Sequence, residues 1–168
     1  MTSILKVSEI QDPTNSNTAL TINATGEVKI PGSVVQVVQA TTATSYSAIT
    51  STSFVELSSD LRCTITPKFS DSLLLVMFHS MMYKSGSPNP WGVATIYRDG
   101  SDIFGGSYGP GYTQGVGANT SMIHNARKIV SANSTSSTTF SLYIKAGSGY
   151  TMNMDSADRQ VMVMEIAQ

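Results

Sequence analysis

The run Leu73-Leu74-Leu75-Val76-Met77-Phe78 constrains the fold more than any other feature of this chain. It is far shorter than the ~20 apolar residues that span a bilayer. It closes a stretch in which two short alternating segments, Ser53–Leu57 and Leu61–Thr66, lead through Pro67 into a predicted long strand, Ser72–Met82. A strand with apolar residues at both odd and even positions cannot turn either face to water. It must lie between a core and a second covering surface, such as another subunit. Val161-Met162-Val163-Met164 repeats the pattern near the end of the sequence. Two such strands in one small domain predict a sandwich whose outer face is covered as well.

Further strands are predicted at Val34–Ala40, Gly92–Arg98, Ser121–Val130, Thr138–Ala146 and Arg159–Ala167. In Thr138–Ala146 the period is two, with Phe140, Leu142 and Ile144 on one side and Ser141, Tyr143 and Lys145 on the other. Met122, Ile123, Ala126, Ile129 and Val130 also fit a spacing near 3.6, so a short helix is the alternative over 118–130. The glycine-rich stretch from Gly105 to Gly117 reads as a long loop. This pattern predicts an all-β fold, a β-sandwich of jelly-roll type.

Charged residues make up 12% of the chain, half the roughly 25% of an ordinary soluble domain. Ser and Thr supply about a quarter of the residues, and the net charge is −1. Solubility therefore rests on hydroxyls and on surface hidden in an assembly. The near-neutral balance offers no basic field for nucleic acid, and no segment suggests membrane insertion. Met1 to Lys6 lacks the basic and apolar regions of a secretory signal. The single cysteine, Cys63, excludes an internal disulfide and alternates with Leu61 and Ile65 as a buried small hydrophobe.

The chain divides near Pro31-Gly32. Ahead of it, Leu20 and Ile22, a turn at Asn23-Ala24-Thr25-Gly26, and Val28 and Ile30 read as a hairpin. Four aliphatics are too little apolar surface to offset the entropy of ordering some thirty residues. Residues 1–32 are thus expected to be an attachment or intertwining segment, and 33–168 the sandwich knob.

Catalytic chemistry finds no foothold. His79 and His124 stand in no metal-ligand spacing and read as buried or turn histidines. Asp99-Gly100-Ser101-Asp102 and Asp155-Ser156-Ala157-Asp158 could be imagined as glycosidase carboxylates or calcium ligands, but each reads as a turn before or between strands, without the oxygen count of a calcium loop. No Gly-x-Ser-x-Gly elbow singles out a nucleophile. The expectation is a non-enzyme without metal or cofactor. Binding is the remaining chemistry: Trp91, beside Pro88-Asn89-Pro90, and Tyr108 and Tyr112, among glycines, are aromatics suited to stacking on sugars or anchoring an interface.

Several marks recur in order along the sequence: Ile4 to Ile10, Thr21-Ile22-Asn23, Pro31-Gly32, Val34-Val35-Gln36-Val37-Val38-Gln39, Ile65-Thr66-Pro67 with Ser72-Leu73-Leu74-Leu75-Val76, Tyr97-Arg98-Asp99-Gly100 and Met164-Glu165-Ile166-Ala167. In these the chain resembles tail-fibre and virion surface proteins of tailed bacteriophages, of the marine and cyanobacterial kind. The resemblance implies a virion structural component, a homotrimer of β-sandwich knobs held to other virion proteins by residues 1–32, with a host-surface glycan or protein as its further partner. It implies no catalysis. The long shaft of a full fibre is not within these residues, so a decoration knob on the capsid exterior stands beside the fibre or spike knob. A polysaccharide-degrading enzyme would need Asp99, Asp102, Asp155 or Asp158 as paired acids in a groove.

Overall fold

The computed structural model describes residues 7–11, 14, 18–43, 46–85, 91–114, 120–148, 151–154 and 159–168. Three short strands, β1 (Glu9–Gln11), β2 (Thr18–Ile22) and β3 (Val28–Lys29), form a small antiparallel sheet in that order. The hairpin expected from Leu20 to Ile30 is its second half, with Thr21 opposite Lys29. Asn23 closes the turn, its Oδ1 accepting from the backbone N–H groups of Thr25 and Glu27; β1 was not expected.

Twelve further strands follow: β4 (Val34–Thr42), β5 (Tyr46–Ile49), β6 (Val55–Glu56), β7 (Cys63–Ile65), β8 (Leu73–Ser85), β9 (Trp91–Arg98), β10 (Ser101–Asp102), β11 (Gly111–Gln114), β12 (Thr120–Ser131), β13 (Thr138–Ala146), β14 (Thr151–Met154) and β15 (Arg159–Ile166). All of their pairings are antiparallel. In one sheet β8 pairs with β12 along one edge and with β15 and then β14 along the other, and β4 and β5 lie outside β15 and β14. In the second sheet β9 and β13 form the centre, with β10 and β11 beyond β9 and with β6 and β7 beyond β13. Counting each broken edge strand once, both sheets are four strands wide, and the chain passes between them in jelly-roll order.

The core lies between the sheets. Leu74, Val76 and Phe78 of β8, Phe140, Leu142 and Ile144 of β13, and Val161 and Val163 of β15 are buried in it. The period of two predicted for Thr138–Ala146 is therefore met. Burial of Cys63 pushes its thiol up to about 11, so it stays protonated as a packing group. Glu165, on the inner row of β15, is also fully buried and accepts from the backbone N–H groups of Lys68 and Phe69 and from Gln36 Nε2. It ties β15 to the segment that precedes β8.

That segment also receives the first sheet. Lys29 pairs with Asp71 and lies over the Phe69 ring, and Lys68 pairs with Glu27. Exposed pairs of this kind are worth little singly, so the positions of Phe69 and Lys68, fixed by Glu165, decide how β3 meets the sandwich.

The strand predicted over 121–130 is met by β12, and its helical alternative is not. Two sequence expectations need correction. The glycine-rich stretch is not loop throughout, because Gly111–Gln114 pairs with β9. His79 is neither buried nor in a turn: it is exposed on β8, with Nδ1 2.6 Å from Asn125 Oδ1, whereas His124 is buried.

Candidate functional site

The two outer faces of the sandwich differ in chemistry. On the β9–β13 sheet the outward row of β9 begins at Trp91, and β11 sets Tyr112 opposite Val93, one pair along on the same side. The chain between β10 and β11 folds back over this face. A Cβ on Gly109 would meet Val93 and Thr95, and one on Gly111 would come within 2.8 Å of the Ala94 carbonyl oxygen. Glycine is needed there for close approach of two backbones. The fold-back carries Tyr108 to the same place.

The three aromatics named from sequence therefore meet. Trp91 lies 6.1 Å from Tyr112 and 6.5 Å from Tyr108, and the two tyrosines pack edge to face at 5.1 Å. These are favourable ring geometries. Tyr108 is 62% exposed and Tyr112 39%, so the cluster shows ring surface to solvent instead of only pinning a loop. Gly111→Ala should separate β11 from β9 and cost about 1–3 kcal/mol. Trp91 is the sole tryptophan, so a shift in emission wavelength together with a lower melting temperature would report the change; an unaltered spectrum would refute the packing.

Further along the same face Tyr97 stacks on Tyr143 at 3.9 Å and 16°, Phe54 lies 6.1 Å from Tyr97, and Lys145 sits over Phe54. Beside Tyr143, Arg62 donates two hydrogen bonds of 2.7 Å to Glu56. The guanidinium holds the Glu56 carboxyl below its ordinary value. Sequence reasoning missed this set; the outward alternation of Ser141, Tyr143 and Lys145 was its only local signal.

The other sheet is aliphatic on its outside. The outward rows of β8, β15 and β12 present Leu75 and Met77, Met162 and Met164, and Ile123 and Ile129. The β8 and β15 members are half-buried, whereas Ile123 is 63% and Ile129 55% exposed. Arg127 is the one charged side chain among the described positions of these rows. A shallow depression of about 430 Å³ crosses them between Met77, Met162, Gln160 and Arg127.

The first acidic pair is occupied with structure. Asp99 and Gly100 have φ of +48° and +84°, the values of a tight primed turn joining β9 to β10. Asp99 accepts from Thr139 N–H and Thr138 Oγ1, and Asp102 from Thr95 Oγ1 and Phe104 N–H. Asp155 and Asp158 lie outside the described residues, as does Pro88-Asn89-Pro90. Among the described residues no group of three or more His, Cys, Asp or Glu side chains is placed to hold a metal ion.

No protein-family model and no curated protein matches the chain. A solved structure of infectious bursal disease virus, Gx strain, aligns with 83% of this chain and 34% of its own, at 16% identity and a TM-score of 0.46. The chain thus spans about a third of that protein's length.

Proposed function

We propose that the chain is a non-enzymatic structural protein of a bacteriophage virion, a fibre or spike knob that assembles as a homotrimer through its aliphatic outer sheet and turns its aromatic sheet toward the host surface. The observation that carries the reading is the aliphatic face. Leu75, Met77, Met162, Met164 and Ile129 form one surface, parted from Ile123 by the His79–Asn125 pair, on top of a sheet whose other side packs on the core. Large contiguous apolar patches are uncommon on monomers and mark interaction sites.

Its size suits the purpose. β8 and β12 run in register for twelve residue pairs, about 40 Å of strand, and four strands are about 19 Å wide. The face is thus on the order of 700 Å², close to the ~800 Å² per partner of a stable interface. Arg127 is the one charged side chain among the described positions of these rows, so copies meeting around an axis must keep only that charge toward the rim. The sequence marks shared with phage surface proteins supply the virion and the number three. Residues 1–32 fit as the segment that holds the knob to the particle, since β3 reaches the knob through surface ion pairs.

Light scattering of the full chain at micromolar concentration tests the assembly: a mass of three chains is expected, and a monomer or dimer refutes the trimer. Imaging of the particle then assigns the location, with density at the tail for a fibre knob and density on capsomer centres for a decoration knob. Virions carrying Trp91→Ala, Tyr108→Ala and Tyr112→Ala together should adsorb to host cells at least about tenfold more slowly, as expected when clustered aromatic anchors are removed. Normal adsorption would remove the host-contact role from this cluster.

A further inference from the structure

The second aromatic set on the same sheet borders a groove of about 280 Å³. Its floor is the outward row of β13, Thr139 and Ser141; Arg62 and Glu56 form one wall, the Asp99-Gly100 turn the other, and Tyr143 lies among the lining side chains. We infer that this groove is a binding site for one neutral pyranose ring of a surface glycan, stacked on Tyr143 and hydrogen-bonded along the β13 hydroxyls and the Arg62–Glu56 pair.

Each part of the groove has a counterpart in a sugar. One face of Tyr143 is taken by Tyr97 and the residue lines the groove, so the proposed ligand stacks on its other face. A π-face suits the C–H side of a pyranose. The stack from Lys145 through Phe54 and Tyr97 to Tyr143 fixes the ring before any ligand arrives, which lowers the ordering cost of binding. Around the ring stand groups that both donate and accept, as hydroxyl recognition requires. Thr139 Oγ1 is already oriented by Thr64 Oγ1 at 2.8 Å, and Glu56, which accepts from Arg62 and from the Ser141 hydroxyl, retains lone-pair capacity beyond them.

Charge selects the class of sugar. Arg62 and Glu56 neutralise each other in a two-bond fork, and the Asp99 oxygens accept from Thr138 and Thr139. The three together carry −1, which disfavours sialic and uronic acids. The volume is at the small end of ligand pockets, ~300–1,000 Å³, and so suits a single ring.

The inference rests on the reading of this sheet as the outward, recognition side, and the test keeps the two apart. The ¹⁵N-labelled full chain, its mass checked by light scattering in the same sample, is titrated to about 50 mM with methyl α-glucoside, methyl α-mannoside and methyl β-galactoside, and with methyl β-glucuronide as the acidic counterpart. Millimolar affinity is the range for one ring. At least one neutral glycoside should shift the amides of Thr139, Ser141, Tyr143 and Arg62. Tyr143→Ala should weaken it about tenfold, whereas Tyr143→Phe, which keeps the stack on Tyr97, should stay within about threefold. Three results overturn the site whatever the mass: no neutral glycoside moves these amides, the glucuronide binds as tightly, or the shifts gather around Trp91, Tyr108 and Tyr112. The wild-type titration decides the matter even where Tyr143→Ala fails to fold.

Discussion

Ile123→Glu combined with Ile129→Glu should convert the proposed trimer to a folded monomer. Both side chains are more than half exposed in the single chain. Substitution there should change the stability of the monomer by only about ±0.5 kcal/mol. In the assembly the outcome differs, because both isoleucines lie on the outward row of β12 beside Leu75 and Met81 of β8. Each lost isoleucine removes about 1.5–3 kcal/mol of burial, and each new carboxylate adds a desolvation cost. Two per chain become six around the axis. The association constant should fall by well over a hundredfold, since ~1.4 kcal/mol is a factor of ten. Light scattering should show one third of the wild-type mass with an unchanged far-ultraviolet dichroism spectrum. Ser107→Glu, on the exposed fold-back of the other sheet, should leave the trimer intact. Retention of trimer mass by the double variant would show that this face is not the interface.

The same two isoleucines show why a helix stood as the alternative for this correctly predicted strand. Ala126 and Val130 of β12 pack toward the core, and Ile123 and Ile129 point away from it. Apolar residues on both faces, superposed in one line of sequence, produce gaps of three and four that imitate a helix. β13 was legible because its outer face is polar or aromatic and the period of two shows through. β11 was hidden for another reason: Gly111 reads as loop, yet it is glycine because the Ala94 carbonyl leaves no space for a Cβ. Trp91, Tyr108 and Tyr112 could each be named from sequence, but their meeting depends on the β9–β11 pairing, which local pattern does not reveal. Glu56 and Arg62, which wall the proposed sugar groove, flank the turn at Ser59–Leu61 and carry no local sign that they face each other.

Glu165→Ala should damage this fold strongly. Glu165 occupies the inner row of β15, where sequence alternation alone would call for an aliphatic residue like Val161 and Val163. Its carboxylate takes hydrogen bonds of 2.9 and 3.0 Å from the backbone N–H groups of Lys68 and Phe69, and one of 2.6 Å from Gln36 Nε2. Alanine leaves those donors without their acceptor. Each buried donor so stranded costs about 1–3 kcal/mol, and Gln36 keeps a second bond to the Thr66 carbonyl, so the total should be about 3–5 kcal/mol. For a chain of this length that lowers the melting temperature by roughly 10–15 °C. Glu165→Gln keeps one carbonyl oxygen for the two backbone donors but sets its NH₂ against Gln36 Nε2, which also donates to the Thr66 carbonyl, so its loss should be about 1–3 kcal/mol. The damage should also travel outward, because the segment held by Glu165 carries Lys68, Phe69 and Asp71, the contacts of Glu27 and Lys29. Hydrogen exchange at Ile22 and Val28 should therefore quicken in Glu165→Ala ahead of exchange at Leu142 in the core. Melting within about 2 °C of wild type, or equal changes in exchange at both places, would show that Glu165 is not what couples the β1–β3 sheet to the sandwich.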